Sequence, residues 1–194
     1  MKKLKYIFPA IALFLVACDS NDDGFYNTEY LESQNSLVNI ETQPTYNVND
    51  VLYIEAAIPK LLQQTGQSNL LDIRQSTGNA PTFEFAYLLE RRNAANTWDI
   101  VDVSDNFIPD LGNANTGSYV QAFLQYNSTD EEYIFRGGIQ LVTAGEYRIS
   151  FITNSSTYDK ITLRSNSINN NVILNIFSPS LNLDASGYYT FTVN

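Results

Sequence analysis

From Phe83 to Glu90 the chain alternates, with Phe83, Phe85, Tyr87 and Leu89 falling on one side and Glu84 and Glu90 on the other. A period of two marks a strand with one buried face, because successive side chains of extended backbone point to opposite sides of a sheet. Val51 to Ile58 forms a second clear run. Others lie around 70–74, 98–103, 119–126, 132–141, 146–153, 159–164, 171–177 and 188–193, with Asn, Gly, Ser, Asp and Pro between them. Many short strands separated by turn residues predict an all-β chain, built as a single antiparallel β-sandwich. The only helix candidate is Pro59 to Gln64, where proline in the first turn and Leu61-Leu62 precede Gly66.

One pattern repeats. Leu141, Gly145, Tyr147, Ile149 and Phe151 return 42 residues later as Leu183, Gly187, Tyr189, Phe191 and Val193. The order L-x-x-x-G-x-Y with alternating apolar residues after it resembles the tyrosine corner of immunoglobulin-like and fibronectin-like sandwiches. That resemblance implies a tyrosine hydroxyl bonded back to the preceding turn. A second copy at the C-terminus departs from the family, whose corner is normally followed by one more strand. The 43 residues from Ile152 to Asn194 are too few for a second core without disulfides or a metal. The expectation is therefore one immunoglobulin/fibronectin-like sandwich over residues 37–194, elaborated with extra strands.

The N-terminus reads differently. Lys2, Lys3 and Lys5 precede an apolar segment of 12 residues, Tyr6 to Ala17. That is short of the roughly 20 residues a membrane-crossing helix needs, but it fits the core of a secretory signal. It ends in Leu15-Val16-Ala17-Cys18, which resembles the bacterial lipobox. The resemblance implies a signal peptide over 1–17, cleavage before Cys18 and diacylation of its sulfur. Next come Asp19, Ser20, Asn21, Asp22 and Asp23, similar to the acidic surface-export signal of Bacteroidota (flavobacterial-type) lipoproteins. In enteric bacteria an aspartate at this place instead implies inner-membrane retention. The Asn-, Ile- and Tyr-rich composition favours the former, an outer-membrane, lipid-anchored protein facing the cell exterior. Residues 18–36, acidic with isolated aromatics and no sustained period, are expected to be a lipidated N-terminus and flexible tether.

Loss of 1–17 removes three of the 11 basic residues, leaving 8 against 21 acidic ones and a net charge of −13. Such a surface repels phosphate backbones and anionic headgroups, so nucleic-acid binding is disfavoured and the lipid must supply the anchoring. Cys18 is the only cysteine, so there is no disulfide. The chain has no histidine, which rules out Ser-His-Asp and Cys-His nucleophilic machinery and His-ligated zinc. Carboxylate-only catalysis, a Ser-Lys arrangement and an oxygen-ligated calcium site remain.

Three constellations could carry chemistry. Asp99, Asp102, Asp105 and Asp110 with Asn106, Asn113 and Asn115 are oxygen-rich around an expected loop at 105–117, and Asp105 and Asp110 are its calcium candidates. No EF-hand spacing is present, and a solvated loop with Asx turns explains the same residues. Aromatic side chains stack on sugar rings, and Trp98 and Tyr126, each beside a polar loop, are the candidate ligand platform. Core packing of half-buried strands is the competing explanation. Carboxylate pairs such as Glu131-Glu132 or Glu84 with Glu90 would need a cleft and split pKa values to cleave a glycosidic bond. The balance favours a non-enzymatic surface lipoprotein that binds another envelope protein as an accessory module and needs no cofactor. The alternative is a carbohydrate-binding module using surface aromatics on a glycan.

Overall fold

The computed structural model describes residues 27–64, 66–153, 160–167, 172–180 and 182–194. In chain order its elements are β1 (Asn27–Glu32), β2 (Val38–Ile40), β3 (Val51–Pro59), β4 (Leu61–Gln63), β5 (Leu70–Asp72), α1 (Ile73–Ser76), β6 (Thr82–Arg92), β7 (Trp98–Ile100), β8 (Phe107–Leu111), β9 (Asn113–Thr116), β10 (Val120–Asn127), β11 (Glu132–Gln140), β12 (Gly145–Ile152), β13 (Lys160–Asn166), β14 (Val172–Pro179) and β15 (Tyr188–Val193). The protein is all-β. One large curled sheet follows the order β1-β14-β13-β6-β10-β11-β3-β2, and β4 and β5 pair separately. Among the described residues no helix is long and apolar enough to cross a membrane.

The sheet curls because it branches. On one edge of β6, Glu84 pairs with Arg164 of β13, whereas Leu89 pairs with Ile149 of β12. On the other edge, Phe85 pairs with Ala122 of β10 and Glu90 with Ile100 of β7. A second fork opens between β10 and β11. They pair only from Gln125↔Ile134 to Asn127↔Glu132, and beyond that β9 takes the edge of β10 and β8 the edge of β11. Gly112 stands in this fork with φ +73°, and a Cβ there would lie 2.6 Å from the Phe123 carbonyl oxygen. Both facts exclude a side chain.

The alternating residues read from the sequence become the core. Phe83, Phe85, Tyr87 and Leu89 of β6 join Leu52, Ile54 and Ile58 of β3 and Tyr133, Phe135 and Ile139 of β11 in one buried cluster that also takes in Leu31 and Val193. Each large apolar side chain so buried contributes about 1.5–3 kcal/mol. Aromatic edges interlock, with Phe83 against Tyr133 at 4.8 Å and Phe85 against Phe135 at 5.5 Å between ring centroids. The Tyr133 hydroxyl donates to the Ala80 carbonyl at 2.7 Å. The two copies of the internal repeat are neighbours, because β12 and β15 pair antiparallel with Tyr147 opposite Phe191. The Tyr147 hydroxyl donates to the Thr143 carbonyl at 2.7 Å, whereas the Tyr189 hydroxyl shares a 3.4 Å hydrogen bond with that of Tyr46.

Five expectations need correction. Residues 27–32 are not tether: β1 pairs with β14, and in parallel, so the sheet is not wholly antiparallel. Only Leu31 of β1 is buried, so an edge strand of this kind shows no period in its sequence. The stretch 105–117 is not a loop but carries β8 and β9, whose side chains are mostly exposed. Pro59 to Gln64 is not helical; Pro59 closes β3 and Leu61–Gln63 forms β4. The helical turn comes at 73–76, inside and just beyond the expected strand 70–74, because the Asp72 carboxylate accepts from the Gln75 amide at 2.9 Å and caps it.

Candidate functional site

Register and alternation together map the outer face of the sheet around β6. Where odd-numbered residues of β6 and β12 enter the core, even-numbered ones point out. Cross-strand pairing sets Trp98, Arg92, Glu146 and Thr192 in one row. The next row holds Ile100, Glu90, Arg148 and Thr190. Leu88, Ser150 and Tyr188 follow, with Tyr119 at the head of β10 beside them.

Arg148 is the centre of this face. Its Nε and Nη2 donate to the two carboxylate oxygens of Glu90 at 2.7 and 2.9 Å, a bidentate pair whose side chains are only 19% and 12% exposed. Its guanidinium carbon lies 4.5 Å from the Trp98 ring centroid and 4.0 Å from that of Tyr188. Hydrogen bonding to Glu90 raises the Arg148 pKa, so the cation persists at every physiological pH. Beside it Arg92 and Glu146 pair at 2.6 Å. The face thus carries neutralised charges, two aromatic rings and the open apolar side chains Ile100 and Ile152.

Toward β13 the same face opens into a groove of about 300 Å³ at the β12/β13 fork, lined by Glu84, Tyr119, Gln121, Ile152, Thr162 and Arg164 among others. Gln121 Nε2 donates to Glu84 at 3.0 Å. Tyr119 is exposed on its rim.

The residues singled out from the sequence are not brought together. Cys18 and the segment Asp19, Ser20, Asn21, Asp22, Asp23 lie outside the described residues. Trp98 and Tyr126 sit at opposite ends of β6, Trp98 opposite Arg92 and Tyr126 just past Gln125, which pairs with Thr82. They therefore form no common platform. A guanidinium also covers one face of each ring, Arg74 lying 3.9 Å from the Tyr126 centroid. The calcium candidates are dispersed. Asp110 is paired to Arg136, Asp99 accepts from Asn93 at 3.0 Å, and Ser104 bonds Asp102, holding its carboxyl below the usual range. Asp105 stands exposed near the start of β8. Among the described residues no three acidic side chains converge in a metal-binding group. Glu84 and Glu90 share a face but are held separately by Gln121 and Arg148, while Glu131 pairs with Lys60 at 2.8 Å.

Arg148 and Tyr188, the heart of the face, were not picked out from the sequence. A signal existed, since Arg148 occupies an outward position in a strongly alternating run of a chain that holds few cations.

Comparison with known proteins adds little. No protein-family model matches the chain. Nor does any curated protein sequence. Among solved structures it is similar to the reeler domain of human F-spondin, at 11% identity over 90% of this chain and 99% of that one, with a TM-score of 0.36, a likeness too distant to bear on function.

Proposed function

We propose that the chain is a cell-surface lipoprotein, anchored to the outer membrane by lipid on Cys18, whose folded domain is a non-enzymatic binding or accessory module for another envelope protein. The outer face around Arg148 is its contact surface. One observation carries this reading: Ile100 and Ile152 lie open, and the half-buried rings of Trp98 and Tyr188 flank Arg148, around charges already paired within the sheet. A partner covering this face gains apolar and aromatic contact without stranding an ion. Trp, Tyr and Arg are the residues in which interface energy concentrates, and contiguous exposed apolar surface marks interaction sites. The folded domain is read as an elaborated immunoglobulin-like sandwich, a reading supported by the Tyr147 to Thr143 hydrogen bond at the expected corner.

A second reading, a carbohydrate-binding module, is favoured by the groove beside Tyr119, where an exposed ring stands next to carboxylate, carboxamide and guanidinium groups.

Photo-crosslinking on intact cells separates the two. A reactive residue at Ile100 is expected to give a stoichiometric adduct with one outer-membrane protein, and the same group at Leu111, on another strand's exposed surface, is not. Recovery of the chain alone from both positions would remove the protein-partner reading and direct attention to binding assays with neutral polysaccharides.

A further inference from the structure

On the outer face of β6 two glutamates each stand directly opposite an arginine of the neighbouring strand, Glu90 opposite Arg148 of β12 and Glu84 opposite Arg164 of β13. The first pair is closed by two hydrogen bonds, whereas the second is open. Among the described residues Arg164 takes part in no ion pair, although directly opposed charges on adjacent strands attract. Gln121 of β10 accounts for the difference. Its Nε2 holds Glu84 at 3.0 Å from the β10 side, while β13 lies along the other edge of β6. Arg164 is left exposed, and one Glu84 oxygen accepts no hydrogen bond from the described residues.

Both charges line the groove of about 300 Å³ at the β12/β13 fork. Its shape follows from the sequence. Of the outward residues of β6 from Thr82 to Arg92, Ala86 has the smallest side chain, so the face is indented there. Ile152, opposite Ala86, and Tyr119 edge the groove and are 49% and 44% exposed. The groove thus offers one cation, one anion and an apolar rim, at the small end of ligand-pocket volumes.

The charges select the ligand. A simple anion is repelled by Glu84 and by a chain of net charge −10, and a simple cation meets Arg164. Sugar hydroxyls can bond both groups but neutralise neither, and charge-assisted hydrogen bonds are about twice as strong as neutral ones. A zwitterion is attracted at both ends and carries no net charge. Because opposed residues of antiparallel strands have Cα atoms only about 4.5–5.5 Å apart, its two charges must also be close together. We propose that the groove binds a free α-amino acid with an apolar side chain. Its carboxylate accepts from the Arg164 guanidinium, its ammonium donates to Glu84, and its side chain lies against Ile152 and Tyr119. Gln121 is a positioning residue that keeps Glu84 from closing on Arg164. This assignment takes the groove from the sugar reading and is independent of the protein-partner reading, since Glu90 lies four residues beyond Ala86 along β6, about 13 Å away.

The test is equilibrium dialysis of the full chain in detergent micelles against radiolabelled L-leucine and L-phenylalanine. Isocaproate, which is leucine without its ammonium, isopentylamine, which is leucine without its carboxylate, and glucose serve as competitors. Saturable leucine binding is expected, with each truncated analogue competing about tenfold more weakly than unlabelled leucine. Arg164→Gln is expected to bring leucine level with isopentylamine, and Glu84→Gln to bring it level with isocaproate. Ala86→Leu fills the groove and should abolish binding; if that variant unfolds, Arg164→Gln, at an exposed position, still decides the matter. Absence of saturable binding of both amino acids overturns the assignment, and so does leucine binding that Arg164→Gln leaves unchanged. Displacement by glucose as effective as by leucine also overturns it and returns the groove to the sugar reading.

Discussion

Arg148 and Arg136 are built alike and serve different ends. Each makes a bidentate pair with one glutamate, Arg136 through Nε and Nη2 to Glu41 at 2.6 and 2.9 Å, and each stacks on an aromatic ring, Arg136 at 3.8 Å from the Tyr53 centroid. Arg136 adds a second carboxylate, Asp110, and thereby ties β11 to β8 and to the chain after β2. Its pKa is raised, chiefly by Glu41. Glu55 and Glu132 line the adjacent groove, so the surroundings of Arg136 are acidic. Arg148 spends its third direction on a second ring instead of a second acid. The same cation is a strut where carboxylates saturate it and the centre of an aromatic surface where rings do.

The largest perturbation acts on the framework that carries both. Gly112→Ala forces a Cβ against the Phe123 carbonyl at a positive φ, and is expected to lower unfolding free energy by about 3 kcal/mol in urea melts. Next, Arg136→Ala and Arg148→Ala each leave acid unpaired and are expected to cost about 2 kcal/mol. Only Arg148→Ala should also abolish the Ile100 crosslink. Loss of the crosslink in both, or in neither, would erase the functional distinction between them. Trp98→Ala removes one half-buried ring, so it should cost about 1 kcal/mol or less in stability yet weaken partner binding at least tenfold. Trp98 is the chain's single tryptophan, so its fluorescence reports on this face alone, and partner binding should shift its emission.

The smallest effects lie beneath both faces. Burial raises the pKa of Tyr87, as it does that of Tyr46. In the unfolded chain these phenols ionise near pH 10. Their contribution is therefore complete below about pH 10 and is lost as pH climbs above it, which an alkaline series of urea melts would show. The Tyr87 hydroxyl is buried without a partner among the described residues, so Tyr87→Phe should stabilise by about 1 kcal/mol and flatten the alkaline decline.

Much of the fold was readable because the long strands carry strong alternation. Phe83 to Leu89, Leu52 to Ile58 and Tyr147 to Ile149 each bury every second residue. What escaped were strands without that contrast. β1 buries only Leu31, and β8 and β9 bury none of their residues, because they lie along edges and forks where one or both faces meet solvent. The proposed contact surface escaped for a related reason. Outward residues of a sheet obey no periodic rule, so Trp98 drew notice as a rare residue while Tyr188, 90 residues away, did not.

The order of the residues alone determined that the chain is all-β, that it lacks histidine and disulfide chemistry, and which side of β6 enters the core. Those properties depend on composition and on a local period of two. Tertiary structure alone decided that β6 branches on both edges, that β1 joins the sheet in parallel, and that Glu90, Trp98, Arg148 and Tyr188 meet. Such meetings depend on register between strands distant in sequence, which packing fixes and no local pattern records.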